Sequence, residues 1–406
     1  MTTTVGTAPA FTLLVGTVKG AFLFHTDHAR TEWEMSGPHL GGWEVYSILG
    51  DSRGGRRRLL AGTNHRSGRR HDPSGVGDES VPLPGGATIQ VSDDLGATWQ
   101  PVDEGPAFAP MGSYRWDQGR WTPSDDSARR EWRLNRFWQI VPGHVPEPDT
   151  VFAGSEEAGL FVSRDGGDTW TEVSGLTAHP TRPEWGPGAG GMGLHTILCH
   201  PTDPSRMWVA ASAVGVFHTD DGGASWDLRT AGLGRQPVEA KSHRIGVCPH
   251  KLVLDPADPD RLYIQDHGGV YRSTDGGESW HRIENGLGTD GDGRFGFPLT
   301  VSADGDLYLV PLTDSDHRVV RDGRVVVFRS TDRGDSWHPV SGDFLPTADY
   351  TNVLRDGLAV DSLDPYGVYL GTSAGEIFYS LDRGESWAQI PGRFPRITCV
   401  KTWVRR

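Results

Sequence analysis

The sequence has few cysteines and no long hydrophobic run, and both absences restrict what it can encode. Its 406 residues include only Cys199, Cys248 and Cys399, an odd number without paired spacing. That pattern does not form a disulfide framework, so we expect reduced thiols, as in cytosolic proteins. No apolar stretch approaches the roughly 18 residues of a membrane-spanning helix. The N-terminal MTTTVGTAPA lacks the basic and apolar segments of a signal peptide, and we therefore expect a cytoplasmic protein.

Positive charge is also scarce. The chain carries 39 lysines and arginines against 53 aspartates and glutamates, which gives a formal net charge of −14. Binding to duplex nucleic acid or to an anionic membrane needs clustered lysines and arginines. We therefore expect neither nucleic acid nor membrane as a partner, and we interpret the arginine-rich stretches 56–58 and 66–70 as solvated loops.

What the sequence does contain is a repeat. The pattern Ser/Thr-x-Asp-x-Gly-x-Ser/Thr-Trp recurs along the chain at spacings of 50 to 71 residues, and a degenerate copy, TDHARTEW at 26–33, has lost the Asp and the Gly. The intact copies are SDDLGATW (92–99), SRDGGDTW (163–170), TDDGGASW (219–226), STDGGESW (273–280), STDRGDSW (330–337) and SLDRGESW (380–387).

The residue types of this box are those of a turn. Its Asp accepts backbone N–H bonds, and its Gly reaches backbone angles closed to other residues. The Trp buries a large ring between neighbouring sheets. We therefore interpret the box acids and tryptophans as structural residues with no catalytic role.

Each repeat contains short runs rich in β-branched and aromatic residues, separated by Asp-Pro or Gly turns. Four short strands per repeat of this length indicate a propeller blade. The sequence thus predicts an all-β protein, a seven-bladed β-propeller that forms one domain over residues 1–406. Its boxes end at Trp33, Trp99, Trp170, Trp226, Trp280, Trp337 and Trp387.

The two chain ends predict how the ring closes. The first repeat supplies only three strands, FTLLVGT, AFLFHT and TEWEM, whereas the C-terminus adds one more, RITCVKTWV. We predict that residues 397–404 complete blade one as its innermost strand, which removes exposed sheet edges.

The long loops all fall on one face, opposite the boxes. They connect second to third strands or one blade to the next, and they carry Trp43 and Trp185. Loops over a rigid scaffold commonly hold binding and catalytic residues. Exposed indole rings suit stacking on sugars, so both tryptophans are candidate substrate-binding residues, with loop packing as the alternative.

The same face holds the residues that begin the innermost strands and so line the mouth of the central channel. Aligning the repeats brings histidines, carboxylates and arginines together there, and such a mixed cluster favours a functional site over packing. These residues are Glu44, Arg136, His195, His250, Arg355, Asp356 and Arg396, with His267 at the end of a second strand close to His250.

The boxes resemble the bacterial neuraminidase repeat of sialidases, sortilin-type propellers and xyloglucan-cleaving hydrolases. The stretch GMGLHTILCHPTDPSRMWVAASAVGVFHTDDGGASW further resembles a bacterial propeller family commonly labelled glycosyl hydrolase or sialidase-like. Sialidases have six blades and three arginines that clamp a carboxylate, the first in an Arg-Ile-Pro context. This chain has seven boxes and no Arg-Ile-Pro, which argues against sialidase activity.

Three functions remain open from the sequence. The first is a hydrolase or lyase for a carbohydrate or other polar small molecule. Glu44 and Asp356 would be its acid–base pair, or His195 and His250 its general bases, with Arg136, Arg355, Arg396, Trp43, Trp185 and His267 binding substrate. The second is a divalent metal site formed by His195, His250 and His267. The third is a non-catalytic platform for a glycan or a protein.

Overall fold

Seven four-stranded antiparallel sheets are arranged as the blades of a propeller in the computed structural model. It describes residues 11–64, 87–108, 134, 136–188, 190–234, 242–288, 294–341 and 350–405, and the backbone of 114–117 and 120–123. The predicted fold class and blade number are confirmed. Within these ranges, no helix has the length and apolar character needed to cross a membrane.

The strands of each blade follow one another from the channel outward. In blade one they are Ile397–Val404, Phe11–Thr17, Gly20–Thr26 and Glu34–His39; in blade two, Glu44–Asp51, Arg58–Asn64, Thr88–Ser92 and Gln100–Pro101; in blade three, Phe137–Pro142, Val151–Ser155, Leu160–Ser163 and Thr171–Glu172; in blade four, Leu194–Cys199, Met207–Ala211, Gly215–Thr219 and Asp227–Leu228.

The last three blades follow the same order. Their strands are, in blade five, Pro249–Asp255, Asp258–Asp266, Gly269–Ser273 and His281–Arg282; in blade six, Phe295–Val301, Leu307–Leu312, Phe328–Ser330 and His338–Pro339; in blade seven, Leu358–Val360, Val368–Gly371, Ile377–Ser380 and Ala388–Ile390. A separate hairpin pairs Tyr114–Asp117 with Arg120–Pro123. The helical segments of the described residues are single turns at Arg53–Gly55, Glu156–Ala158, Ser174–Thr177, Arg182–Glu184 and Arg321–Gly323.

The boxes form the turns between third and fourth strands, as the fourth blade illustrates. The Thr219 hydroxyl donates to Asp221 Oδ1 at 2.7 Å and accepts the Gly223 N–H at 3.0 Å. Asp221 also accepts the N–H and the hydroxyl of Ser225, at 2.9 and 2.5 Å. Gly223 has φ +94°, which favours glycine. The Trp226 indole then donates to the Gly223 carbonyl at 3.1 Å, so the box aims its ring into the blade interface.

Apolar side chains of adjacent blades form a core at every blade–blade interface. The described residues contain seven such cores, and each includes one box tryptophan, packed fully or partly buried against the preceding blade. The core between blades seven and one contains Phe11, Tyr369 and Ile397 beside Trp33. The ring is therefore closed by the same packing that joins its other members.

The C-terminal strand takes its predicted place. Residues Ile397–Val404 pair antiparallel with Phe11–Thr17 and are the innermost strand of blade one. The Trp403 indole donates to Ser52 Oγ in blade two at 2.8 Å. Its ring lies directly against Gly50, where any Cβ atom would overlap it. Closure thus depends on side-chain packing to blade two as well as on strand pairing.

The box carboxylates give a prediction for acid pH. Hydrogen bonds from Ser225 lower the pKa of Asp221 from its usual 3.8 to about 2. A lowered folded-state pKa contributes stability above about pH 4 that is lost as the pH falls through about 2. We expect carboxyl NMR titration to give a value near 2, and Ser225→Ala to raise it.

Asp94 in the second blade is an internal control for that titration. Its pKa is lowered to about 2 chiefly by the Thr98 hydroxyl, and Ser225→Ala leaves that box intact. An Asp221 carboxyl that titrates near 4 in the unmodified protein would contradict the prediction.

Candidate functional site

The innermost strands all begin at one end of the channel, which we call the mouth. Second strands run antiparallel to them and end there, so the residues after second strands join the same site. This arrangement gathers the predicted residues Glu44, Arg136, His195, His250, His267, Arg355, Asp356 and Arg396 at the mouth. It also adds Asn64, Glu156 and Ser212, which occupy the position equivalent to His267.

The mouth ends of the innermost strands are bulged. In six blades the pairing with the second strand shifts register within the first residues. A bulge leaves residues unpaired and re-aims their side chains. The residues affected are Thr398, Tyr46, Trp138, His195, His250 and the pair Phe297 and Pro298.

Two carboxylates and an arginine form a group between blades two and three. Arg136 lies 3.6 Å from Glu44 Oε2 and 3.7 Å from Glu156 Oε2. Its guanidinium stacks over Tyr46 at 4.3 Å and over Trp138 at 5.0 Å from the ring centroids. One cation therefore links two acids above two half-buried aromatic rings.

Glu156 differs electrostatically from an exposed acid. Burial raises the pKa of its carboxyl, although Arg136 and a hydrogen bond from the Trp138 indole oppose that shift. The indole donates to Glu156 Oε2 at 2.6 Å. Gly191 closes over the same carboxylate, where a Cβ atom would overlap Oε1. Glu156 is thus a fixed carboxyl that retains a proton at higher pH than usual, as a general acid requires.

Arg355 reaches from blade seven across the mouth. Its Nη2 donates to Ser212 Oγ in blade four at 3.2 Å. Its guanidinium carbon lies 5.5 Å from the Trp138 ring and 5.2 Å from the Phe297 ring. The Arg355 Nε atom is buried and has no hydrogen-bond partner among the described residues. This central cation is well placed to orient an anionic or strongly polar group.

Asp356 lies in the channel between two lysines. Its Oδ1 contacts Lys251 Nζ at 2.8 Å and also pairs with Lys401. Burial alone would raise the pKa of Asp356, but the two ammonium groups hold it well below its usual range. A carboxylate that stays ionised in this way cannot donate a proton near neutral pH. The contacts instead link blades five, seven and one.

The two predicted histidines of the innermost strands are fixed by carbonyl groups of the next blade. His195 is fully buried, its Nε2 donates to Pro249 O at 3.0 Å, and its Nδ1 lies 3.1 Å from the Thr196 hydroxyl. Burial keeps the pKa of His195 well below 6.5. Both of its ring nitrogens are engaged, so the structure gives His195 a bridging position instead of one facing a substrate or a metal.

His250 keeps one nitrogen available by this geometry. Its Nδ1 donates to Gly296 O at 2.6 Å, which leaves Nε2 as the lone-pair atom. The ring packs 5.4 Å from His267 and 4.8 Å from Phe297. The Cys248 sulfur lies near both imidazoles, because the donor atoms of Cys248, His250 and His267 all lie within 4.8 Å of one another.

The remaining predicted residues differ in exposure. Trp185 is fully buried, stacks on Phe217 with centroids 4.9 Å apart, and donates to Thr181 Oγ1 at 2.9 Å. The predicted substrate-binding role of Trp185 is therefore wrong. Its ring instead packs the loop against the blades, which was the alternative interpretation. Trp43 is half-buried and Arg396 is exposed, and their roles as substrate contacts stay predictions.

The opposite end of the channel contains a cavity of about 390 Å³. Its carboxylate, Asp361, is ion-paired with Arg30 at 2.6 Å and accepts the Tyr369 hydroxyl at 2.7 Å. These contacts join blades one and seven. They also engage the Asp361 carboxylate, so it is poorly placed to act on a ligand in this cavity. The other lining residues are Val301, Ala303, Val360, Ser362, Thr402, Trp403 and Val404.

Fold and boxes together define the class: a seven-bladed β-propeller built from Asp-box repeats, with a polar, aromatic mouth. Residues 271–282 match the family model described as BNR/Asp-box repeat. An ancestral GH74 enzyme of known structure is similar at a TM-score of 0.53 and 16% identity, over 87% of this chain and 39% of that one. That likeness concerns the fold.

Two curated relatives are xyloglucanases. The oligoxyloglucan-reducing end-specific xyloglucanase of Emericella nidulans is 28% identical over 155 residues, which is 33% of this chain and 18% of that protein. Xyloglucanase Xgh74A of Acetivibrio thermocellus is 24% identical over 271 residues, 59% of this chain and 30% of that protein. The chain thus spans less than a third of the length of these relatives.

Proposed function

We propose that the protein is a carbohydrate-acting hydrolase whose reaction takes place at the mouth of the channel. The observation that carries the proposal is Glu156, a buried carboxyl of raised pKa fixed by the Trp138 indole and joined to Glu44 through Arg136. Glycoside hydrolysis requires a pair of carboxyl groups, one of which retains its proton to act as the general acid. The similarity to xyloglucanases supports a glucan as the substrate class.

In this mechanism Glu156 protonates the leaving glycosidic oxygen. Arg136 Nη2 lies 3.6 Å from Glu44 Oε2 and can orient that carboxylate to activate water or to attack the sugar carbon. Tyr46 and Trp138 present half-buried rings beside the acids, and such rings stack on the apolar faces of sugars. Arg355 would hold a hydroxyl or an anionic substituent at the centre of the mouth.

The test replaces Glu156 by Gln and measures release of reducing ends from xyloglucan and other β-glucans. We expect kcat to fall by about 10²–10⁴, the range for loss of a general acid. The amide oxygen can still accept the Trp138 N–H, so Tm should change little. The rate of the unmodified protein should fall as the pH rises through the Glu156 pKa, and this alkaline limb should be absent in the variant.

Glu385→Gln is the matched control, because Glu385 lies in the box of blade seven and its side chain is 70% exposed. It should leave kcat unchanged. Glucans that bind, raising Tm, without being cleaved by the unmodified protein would favour the non-catalytic glycan platform. The proposal would be overturned if the unmodified protein neither cleaved nor bound any glucan.

A further inference from the structure

We propose that Cys248, His250 and His267 form a transition-metal site of the zinc class at the mouth. Their donor atoms lie within 4.8 Å of one another. One thiolate and two imidazoles are ligands that Zn²⁺ and its neighbours favour, and three protein ligands leave a fourth position for water or substrate. This site differs from the one predicted by sequence, because Cys248 takes the place assigned to His195.

His250 is oriented as metal-bound histidines are. A backbone carbonyl can only accept a hydrogen bond, so the 2.6 Å contact to Gly296 O places the proton on Nδ1. Nε2 then carries the lone pair, and the bulge after Pro249 sets the direction of the ring. A carbonyl partner on the second nitrogen fixes both tautomer and ring angle, which strengthens binding.

The other two ligands are held in register with each other. The His267 N–H donates to the Cys248 carbonyl oxygen at 3.0 Å, which ties the turn after the second strand to the loop before the innermost one. Phe295 packs 5.1 Å from both imidazole rings and forms an apolar wall. Cys248 and His267 are half-buried, so an ion can enter from the mouth.

Deprotonation of the thiol offsets half of the charge of the ion. Binding of M²⁺ forms the metal–sulfur bond and releases the Cys248 proton to solvent, which leaves one net positive charge at the three ligands.

The experiment uses the full chain with any affinity tag removed, stripped with a chelator and titrated with Co²⁺ and Zn²⁺. We expect one equivalent to bind, with a near-ultraviolet thiolate-to-cobalt charge-transfer band and a rise in Tm. Cys248→Ser should abolish the band. His267→Ala should weaken binding by more than the about 10–100-fold that is typical of an outer-shell change.

Cys199→Ser is the matched control, because Cys199 is half-buried at the opposite end of an innermost strand. It should keep the full band and stoichiometry. Absence of stoichiometric binding to the unmodified protein would overturn the proposal, as would a band that survives Cys248→Ser. Should Cys248→Ser fail to fold, His267→Ala decides the question alone. The readout needs no glycan, so it is independent of the proposed hydrolysis.

Discussion

Deletion of residues 395–406 is expected to unfold the propeller. The missing strand contributes the buried side chains Ile397, Val400 and Trp403, which are 1%, 0% and 4% exposed. Truncation of one buried Ile or Trp typically lowers the free energy of unfolding by about 2–5 kcal/mol. The whole free energy of unfolding of an ordinary domain is only about 5–15 kcal/mol. Loss of three such side chains together with a full set of ladder hydrogen bonds should therefore exceed the stability available.

Circular dichroism and thermal melting of the truncated chain check this prediction. A chain lacking only residues 405–406 is the control, because it keeps the whole strand Ile397–Val404 and should melt close to the intact protein. A synthetic peptide of residues 395–406 should restore folding when it is added to the truncated chain. A truncated protein that melts within a few degrees of the intact one would show that the ring does not depend on this strand.

The propeller could be predicted because its repeats encode local turn chemistry. The residue types of each box predict a turn, and the spacing between boxes leaves room for four strands. Blade number and strand order can therefore be predicted without knowledge of distant contacts. The C-terminal strand was predictable for the same reason, since the first repeat lacked one member. The degenerate box ending at Trp33 still packs its ring against blade seven.

The site could be predicted only in part, because alignment gives positions and not side-chain directions. The bulges change the side-chain directions of residues such as Tyr46 and Trp138. Regular alternation along the strand would instead suggest that these are core residues. Glu156 follows the second strand of its blade as His267 does, so its position in the repeat predicts a place at the mouth equally well. The lysine partners of Asp356 come from other blades, so no local sequence pattern predicts these ion pairs.

Asp356→Asn is expected to destabilise the fold by about 3–5 kcal/mol, the cost of leaving buried charges without their partner. The carboxylate holds Lys251 and Lys401, whose side chains are only 12% and 26% exposed. Its removal leaves two ammonium groups facing each other in the channel. Urea unfolding at neutral pH measures the effect, and the double variant Asp356→Asn with Lys251→Met should recover part of it.

The pH dependence of that difference has a definite sign. Because the two ammonium groups lower the folded-state pKa of Asp356, its contribution is fully present above about pH 4 and is lost as the pH falls through that lower value. The stability gap between the unmodified protein and Asp356→Asn should therefore be constant near neutral pH and shrink in acid. A gap that does not change with pH would contradict the ion-pair account.

The same variant separates two roles for Asp356. As the catalytic acid or base predicted from sequence, Asp356 could be replaced by Asn with loss of kcat and little change in stability. As the anchor seen in the structure, its replacement lowers stability, and the folded fraction keeps its activity because Glu44 and Glu156 are untouched. Measuring kcat per folded molecule, below the melting range of the variant, decides between them. If the Asp356→Asn protein folds with normal stability but lacks activity, Asp356 has a catalytic role and does not stabilise the ring.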